Sequence, residues 1–321
     1  MVDNITRSCI RDEVIRRGWK YEELPPDGRF YKITDNHGRT SIGIGSKLGS
    51  SSSTGSSIAR NKFDSYTYVS SLGYRLPGFT IYENDDSAGV FMRRWGKIVV
   101  KPTDSEQSRG VTTDVSSLTD LQKAVKEAIQ FSQEGKVVLQ QQLSGDLYRL
   151  LVIGDRLFAA SCRRPAFVTG NGLLTIRQLI ELKNKHPTRS AGSLSPLKPI
   201  SIELASRLIG QAGLDRVLGD GENQIVSPIA SVSLGGEAED ITERVHSSYS
   251  EIAITITREL KLSVCGFDIM TEDITAPCSG VFPLVEFNSM PGFKLHLYPT
   301  AGGVSRDPAV ALLDWEFPSK D

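Results

Sequence analysis

Two short apolar runs in the last fifth of the chain carry oxygen-bearing side chains at regular spacing. Cys265-Gly266-Phe267-Asp268-Ile269-Met270 places one carboxylate in a β-type run, and Val285-Glu286-Phe287-Asn288 places a second carboxylate and an amide eighteen residues beyond it. Glu286 and Asn288 differ by two positions, so in a strand they point to the same side, with Asp268 their neighbour across a hairpin. Three oxygen donors without a thiolate or imidazole suit Mg2+ better than zinc. Alone, such alternation more often marks the solvated face of a sheet.

The elements that must position these residues read as a mixture of helices and strands. Residues 12–18 form a short charged helix candidate, and 19–44 alternate polar and apolar residues around the turn signals Pro25-Pro26-Asp27-Gly28 and Asn36-His37-Gly38, a small β-rich unit. Residues 47–57 are a Ser/Gly/Thr run with little to bury, read as a loop or flexible linker, inert or lining a ligand site. Helical spacing of Ile58, Phe63, Tyr66 and Val69 predicts a helix over 57–72, stopped by Gly73. Strands are expected at 98–102 and 111–115 around a polar loop, then a helix over 118–133 and a buried strand at 137–139. The apolar runs flanking Gly154-Asp155 predict a hairpin over 149–160. Helices are expected at 175–183, 202–212 and 248–260, and strands at 264–269 and 281–287.

The bulk numbers bound the class. At 321 residues and 39% hydrophobic content the chain can bury one large core or two smaller ones, and a formal charge of -1 offers no basic surplus for nucleic acid or anionic membrane. Cys9, Cys162, Cys265 and Cys278 are scattered without a CxxC pair, the pattern of reduced thiols. The start Met1-Val2-Asp3-Asn4 lacks a basic and apolar leader, and no run reaches the roughly 20 apolar residues of a membrane helix. A cytoplasmic protein is expected. His37, His186, His246 and His296 are given no catalytic role.

The same stretches carry a resemblance. Asp268-Ile269-Met270 followed by Glu286-Phe287-Asn288-Ser289-Met290-Pro291-Gly292 resembles the metal-binding end of ATP-grasp ligases such as D-alanine–D-alanine ligase. Asn288 through His296, followed by Pro299, is similar to the Asn-Ala-Ala-Pro-Gly-hydrophobic-Arg-Met-His stretch of cyanophycin synthetases and of the related domain in bifunctional glutathione synthetases, with Lys294 where arginine is usual. Arg163-Arg164-Pro165 through Gly172, Thr175 through Ile180, Ser233-Leu234-Gly235-Gly236 and Asp240-Ile241-Thr242 also resemble that group, so the likeness covers residues 57–303.

The resemblance implies an α/β (α+β) ATP-grasp fold, two α/β subdomains clamping ATP. A small N-terminal unit and linker would occupy 1–56 and the ATP-grasp domain 57–321, with a lid near 90–140 and a metal-binding subdomain over 141–321. It implies ATP and Mg2+ (Mn2+ can substitute) as cofactors, with Asp268, Glu286 and Asn288 as metal ligands. Lys62 and Lys101 match the lysines that reach the ATP phosphates, and 103–111 matches the loop that closes over them, where Ser105 and Ser108 replace glycines and Gly110 remains. Gln140 stands in for the usual glutamate facing the adenine amino group, and the backbone N–H of Leu143 faces the ring. Leu147 lies where the relatives carry aspartate, a place Asp146 could fill. Arg149 and Arg163 match arginines facing the transferred phosphoryl group and the acyl intermediate, and Lys294 is expected to hold a substrate carboxylate.

The expected activity is amide formation between amino acids or short peptides through an acyl phosphate, releasing ADP and phosphate. The unit is read as standing alone, without the second ligase domain of cyanophycin synthetases. Its partners are small molecules, with no nucleic acid or membrane and a homo-oligomer left open. Glutathione-type synthesis is a rival within the class. Outside it stand an ATP-binding regulatory module, suggested by Ser105, Ser108 and Leu147, and a kinase that stops at phosphoryl transfer.

Overall fold

The computed structural model describes residues 5–105, 108–187, 189–190, 197–227, 230 and 234–319. The polar start at 1–4, Ser233 of the 233–236 motif and residues 106 and 107 of the expected phosphate loop lie outside the described residues.

The chain opens with α1 (Ile5–Arg16) and an antiparallel meander of β1 (Lys20–Glu23), β2 (Tyr31–Thr34) and β3 (Thr40–Gly43). Next come α2 (Ser53–Arg60), α3 (Lys62–Ser71), β4 (Phe79–Ile81), α4 (Asp85–Trp95), β5 (Ile98–Pro102), β6 (Thr112–Val115), α5 (Leu118–Phe131) and β7 (Val137–Gln141). The hairpin β8 (Asp146–Ile153) and β9 (Arg156–Arg164) leads into β10 (Phe167–Thr169), α6 (Ile176–Asn184), α7 (Ile202–Leu214), β11 (Asn223–Ile225) and β12 (Glu237–Asp240). The remaining elements are α8 (Ser247–Glu259), β13 (Val264–Thr271), β14 (Leu284–Asn288), α9 (Lys294–Leu297) and α10 (Pro308–Glu316).

Two antiparallel sheets dominate. One has the order β4-β7-β5-β6, and α4 and α5 lie over it, burying Met92, Leu121 and Val125 against Ile98, Val100 and Leu139. The other has the order β12-β9-β8-β13-β14 and is buried on both faces. Its period-two alternation is visible in β8. Leu150 and Val152 join a cluster with Tyr66 and Val69 of α3 and Ala253 and Ile256 of α8. Leu151 and Ile153 join Ile10 and Val14 of α1, Tyr31 and Ile33 of β2, and Leu312 and Leu313 of α10. A smaller cluster unites β10, β11, α6 and α7 around Val168, Ile180 and Leu214. Among the described residues no helix is long and apolar enough to cross a membrane.

The structure corrects the reading of the Ser/Gly run. Ser53–Arg60 is a helix, capped by the Ser52 side chain on the Gly55 N–H. Its small residues serve close approach: a Cβ on Gly55 would stand 2.1 Å from the Leu260 carbonyl oxygen at the end of α8. The single helix expected over 57–72 is therefore two. Asn61 divides them, its side chain accepting from the Phe63 and Asp64 N–H groups at the start of α3. The first helix also begins earlier than residue 12, because Ile5, Ile10 and Val14 form a buried stripe with the charges between them paired, Glu13 to Arg16 and Arg17. Helices α4, α9 and α10 were not expected.

Candidate active site

The cross-strand register of the five-stranded sheet sets one polar row. Asp240, Ser161, Arg149, Asp268 and Glu286 stand opposite one another across β12, β9, β8, β13 and β14. Directly opposed residues share a face, so five strands each contribute one polar group to the same line. Arg163 lies two residues beyond Ser161, and Asn288 two beyond Glu286, on that face too.

Asp268 is the hub. Its Oδ1 accepts from Arg149 Nε, and its Oδ2 from a terminal Arg149 nitrogen at 3.0 Å, while Arg163 NH2 reaches the two oxygens at 2.9 and 3.0 Å. Burial opposes ionisation of Asp268, but the two guanidinium groups outweigh it and hold its carboxyl below the usual range. Gly266 makes room for this arrangement, since a Cβ there would lie 2.8 Å from Pro291 Cβ and 3.1 Å from Arg149 NH1.

Two lysines approach the Glu286 end. Lys101, fully enclosed on β5, donates to Tyr66 Oη and Gln140 Oε1, each at 2.6 Å, and to the Val285 carbonyl at 3.0 Å. Burial, with the Lys62 charge second, pulls its ammonium down to about 7, against the opposing pull of Glu286 and Asp268. Lys62 opens α3 and donates to the Ser105 carbonyl at 2.6 Å, with Glu286 Oε2 at 3.7 Å. The structure thus brings together Lys62, Lys101, Gln140, Arg149, Arg163, Asp268 and Glu286, with Asn288 on the same face.

Ser108, Gly110, Leu143 and Lys294 stand outside that bonded set. Ser108 has φ 57, a left-handed backbone that glycine takes without cost, and Gly110 has φ 70. Leu143 follows β7, its carbonyl accepting from Gln142 Nε2 at 3.1 Å. Gln140 is buried with both ends engaged, its Nε2 donating to the Leu284 carbonyl at 2.9 Å. Asp146 pairs with Arg164 at 2.7 Å. Lys294 begins α9 half-buried; burial first and the Lys198 charge second lower its ammonium to about 8. The preceding loop rests on the N-terminal unit, where the Phe293 N–H donates to Thr6 Oγ1 at 3.0 Å and Met290 packs against Gly45.

Three features escaped sequence reasoning. Tyr66, read as part of an apolar stripe, turns its hydroxyl to Lys101; it lies one helical turn beyond Lys62, a spacing that could have signalled a shared face. Ser161 and His296, whose Oγ and Nδ1 are 3.0 Å apart, meet only in three dimensions. The same holds for Asp240 and Arg306, paired at 3.3 Å.

The donor set at the Glu286 end suits a hard cation. Among the described residues no three His, Cys, Asp or Glu side chains converge as a metal site, so two carboxylates and the Asn288 amide would need further oxygens from phosphate or water. Glu286 and Asn288 fit this as they stand. Asp268 fits only if a guanidinium lets go, because its four accepted hydrogen bonds use all the lone-pair positions of a carboxylate.

No protein-family model matches the chain. The cyanophycin synthetase of Geminocystis herdmanii is 35% identical over 270 residues, 82% of this chain and 31% of that protein. The bifunctional glutathione biosynthesis protein GshAB of Clostridium perfringens is 28% identical over 313 residues, 95% of this chain and 40% of its own length. The crystal structure of a bifunctional glutathione synthetase from Pasteurella multocida superposes with a TM-score of 0.75 at 25% identity, covering 97% of this chain and 43% of that one. The chain spans less than half the length of these relatives.

Proposed function

We propose that this chain, an ATP-grasp fold homologous to cyanophycin synthetases and bifunctional glutathione synthetases, binds Mg-ATP and joins a carboxylate to an amine. The observation that carries this is that two arginines hold Asp268 while Lys62 lies beside Glu286 and Lys101 bonds the adjoining Val285 carbonyl. Such a cluster of cations around a hard-oxygen donor set is what a transferring phosphoryl group requires.

In this reading a substrate carboxylate attacks the γ-phosphorus of ATP, giving an acyl phosphate and ADP. An amine then attacks the acyl carbon, forming the amide and expelling phosphate, and its proton leaves with solvent or product. Lys62 and Lys101 neutralise phosphate oxygens, Lys62 exchanging the Ser105 carbonyl for them. Mg2+, or Mn2+ in its place, would be held by Glu286, Asn288 and Asp268 and would offset charge on the phosphates. Arg149 engages Asp268 through two nitrogens and Arg163 through one, so Arg163 is the guanidinium with nitrogens left to face the reacting phosphoryl group. The residue 103–111 loop closes over the phosphates, Ser108 and Gly110 supplying its left-handed turns. Residues 140–143 border the adenine. Lys294 holds a substrate carboxylate. Amino acids or short peptides are the substrates that the relatives' names favour.

The test is Mg-dependent ADP release against amino acids and dipeptides, singly and in pairs, with Glu286→Ala as control. ADP that requires both a carboxylate and an amine, with a matching amide mass, supports the ligase. A phosphorylated product from one substrate points to a kinase. ATP binding without turnover points to a regulatory module, a reading that Ser108 in a glycine-type conformation favours.

A further inference from the structure

His296 is 2% exposed, and its Nε2 has no hydrogen-bond partner; the buried Nε of Arg163 is also without one. Both residues belong to one corner of the polar row. The imidazole sits on Ser161 through the 3.0 Å contact, Arg163 is the next residue along β9 on that face, and Arg149 is directly across on β8. The tautomer follows from counting. If the Ser161 hydroxyl donates to Nδ1, one unmet group remains, the Nε2–H. If Nδ1–H donates instead, both the Ser161 hydrogen and the Nε2 lone pair are unmet. The first arrangement leaves the smaller desolvation cost. Burial and the Arg149 charge, with Arg163 and Arg306 adding to them against Asp240, keep the ring neutral by lowering its pKa to about 3. Two buried nitrogens on this side of the row are thus left without an acceptor.

We propose that His296 Nε2 and Arg163 Nε seat the carboxylate of the acyl donor, with Ser161 fixing the imidazole as a donor. The inference rests on the ligase reading and adds to it a substrate-binding residue on α9 and the residue that sets its tautomer. A neutral donor beside a guanidinium binds a carboxylate without adding a second full charge, so the oxygen it holds keeps more of its nucleophilicity than in a purely cationic pair.

The experiment is a long-range proton–nitrogen spectrum of the imidazoles in the full chain, assigned with His296→Gln, alongside the ADP assay. The expected spectrum shows His296 as the Nε2–H tautomer, with Nε2 shifting on addition of acetate, L-aspartate or L-glutamate but not sodium chloride. His296→Ala is expected to raise KM for the carboxylate substrate about tenfold or more with the ATP KM little changed. His296→Gln, which keeps a donor, recovers part of the loss, and Ser161→Ala shifts KM the same way by less. An Nδ1–H tautomer, a resonance indifferent to all three carboxylates, or equal losses in both KM values would overturn the proposal. If no carboxylate supports ADP release, the ligase reading fails on its own, and the spectra still decide the subsite.

Discussion

Asp268 and Arg149 face each other directly across β13 and β8, and the carboxylate that holds Arg149 holds Arg163 as well. Replacing Asp268 with Asn leaves two enclosed guanidinium groups without their anion. Breaking a buried pair in this way costs about 3–5 kcal/mol, so Asp268→Asn is expected to lower the urea midpoint as well as abolish ADP release. A variant as stable as the parent would show that the three side chains do not form this unit.

Lys101 gives a pH dependence with a definite sign. Its folded pKa, about 7, lies below its ordinary 10.5. Below pH 7 the ammonium is charged in both states and the folded protein carries the full cost of burying it. Between about 7 and 10.5 the unfolded chain holds more protons, so this group makes stability rise with pH. Urea midpoints across that range should climb more steeply in the parent than in Lys101→Met. Because phosphate binding favours the charged ammonium, ATP affinity should fall over the same window, with proton uptake measurable by calorimetry in two buffers. Parallel midpoint curves for the two proteins would contradict this.

Ser108 occupies a backbone region that costs a side-chain-bearing residue about 1 kcal/mol or more. Ser108→Gly is expected to stabilise the turn by about that amount and raise kcat, whereas a β-branched Ser108→Val should lower both. Thermal midpoints and ADP release read the pair, and equal behaviour of the two variants would mean that the turn does not govern closure.

Gly266→Ala places a methyl group against Pro291 and the Arg149 guanidinium. Overpacking of this kind costs about 1–3 kcal/mol, and the displaced arginine should reduce turnover more than the stability change alone explains. Activity measured well below the thermal midpoint separates the two effects; unchanged turnover there would remove Arg149 from the reaction.

That Glu286 and Asn288 share a face was legible from the period of two, and Asp268 stands opposite Glu286 as the expected hairpin requires. The β8–β9 hairpin was legible from the Gly154-Asp155 turn between two apolar runs. The Arg149–Asp268–Arg163 cluster was not, since its geometry depends on which strands become neighbours, and β8 and β13 are separated by more than a hundred residues. Tyr66 was misread because the stripe that buries its ring gives no sign of where its hydroxyl ends. Helix α2 was missed because small residues resemble a linker until the surface they approach is known. The start of α10 did carry a signal, Asp307 as cap and Pro308 in the first turn, which the sequence reading left unassigned.

The packing of α1 and the meander against α10 joins residues that lie at opposite ends of the numbering. Trp19 meets Phe317 edge-on at 5.0 Å, Arg17 pairs with Asp314 at 2.8 Å, and Ser41 donates to Glu316 at 2.5 Å. An expression fragment begun after the serine-rich stretch would therefore strip the cover from α10 and from Leu151 and Ile153, and lose the Thr6 support beneath Phe293. One shortened before α10 would uncover Ile10 and Val14. Anyone dissecting this molecule into minimal pieces should expect insoluble protein from either cut, and should place purification tags on spacers long enough to leave this clasp undisturbed.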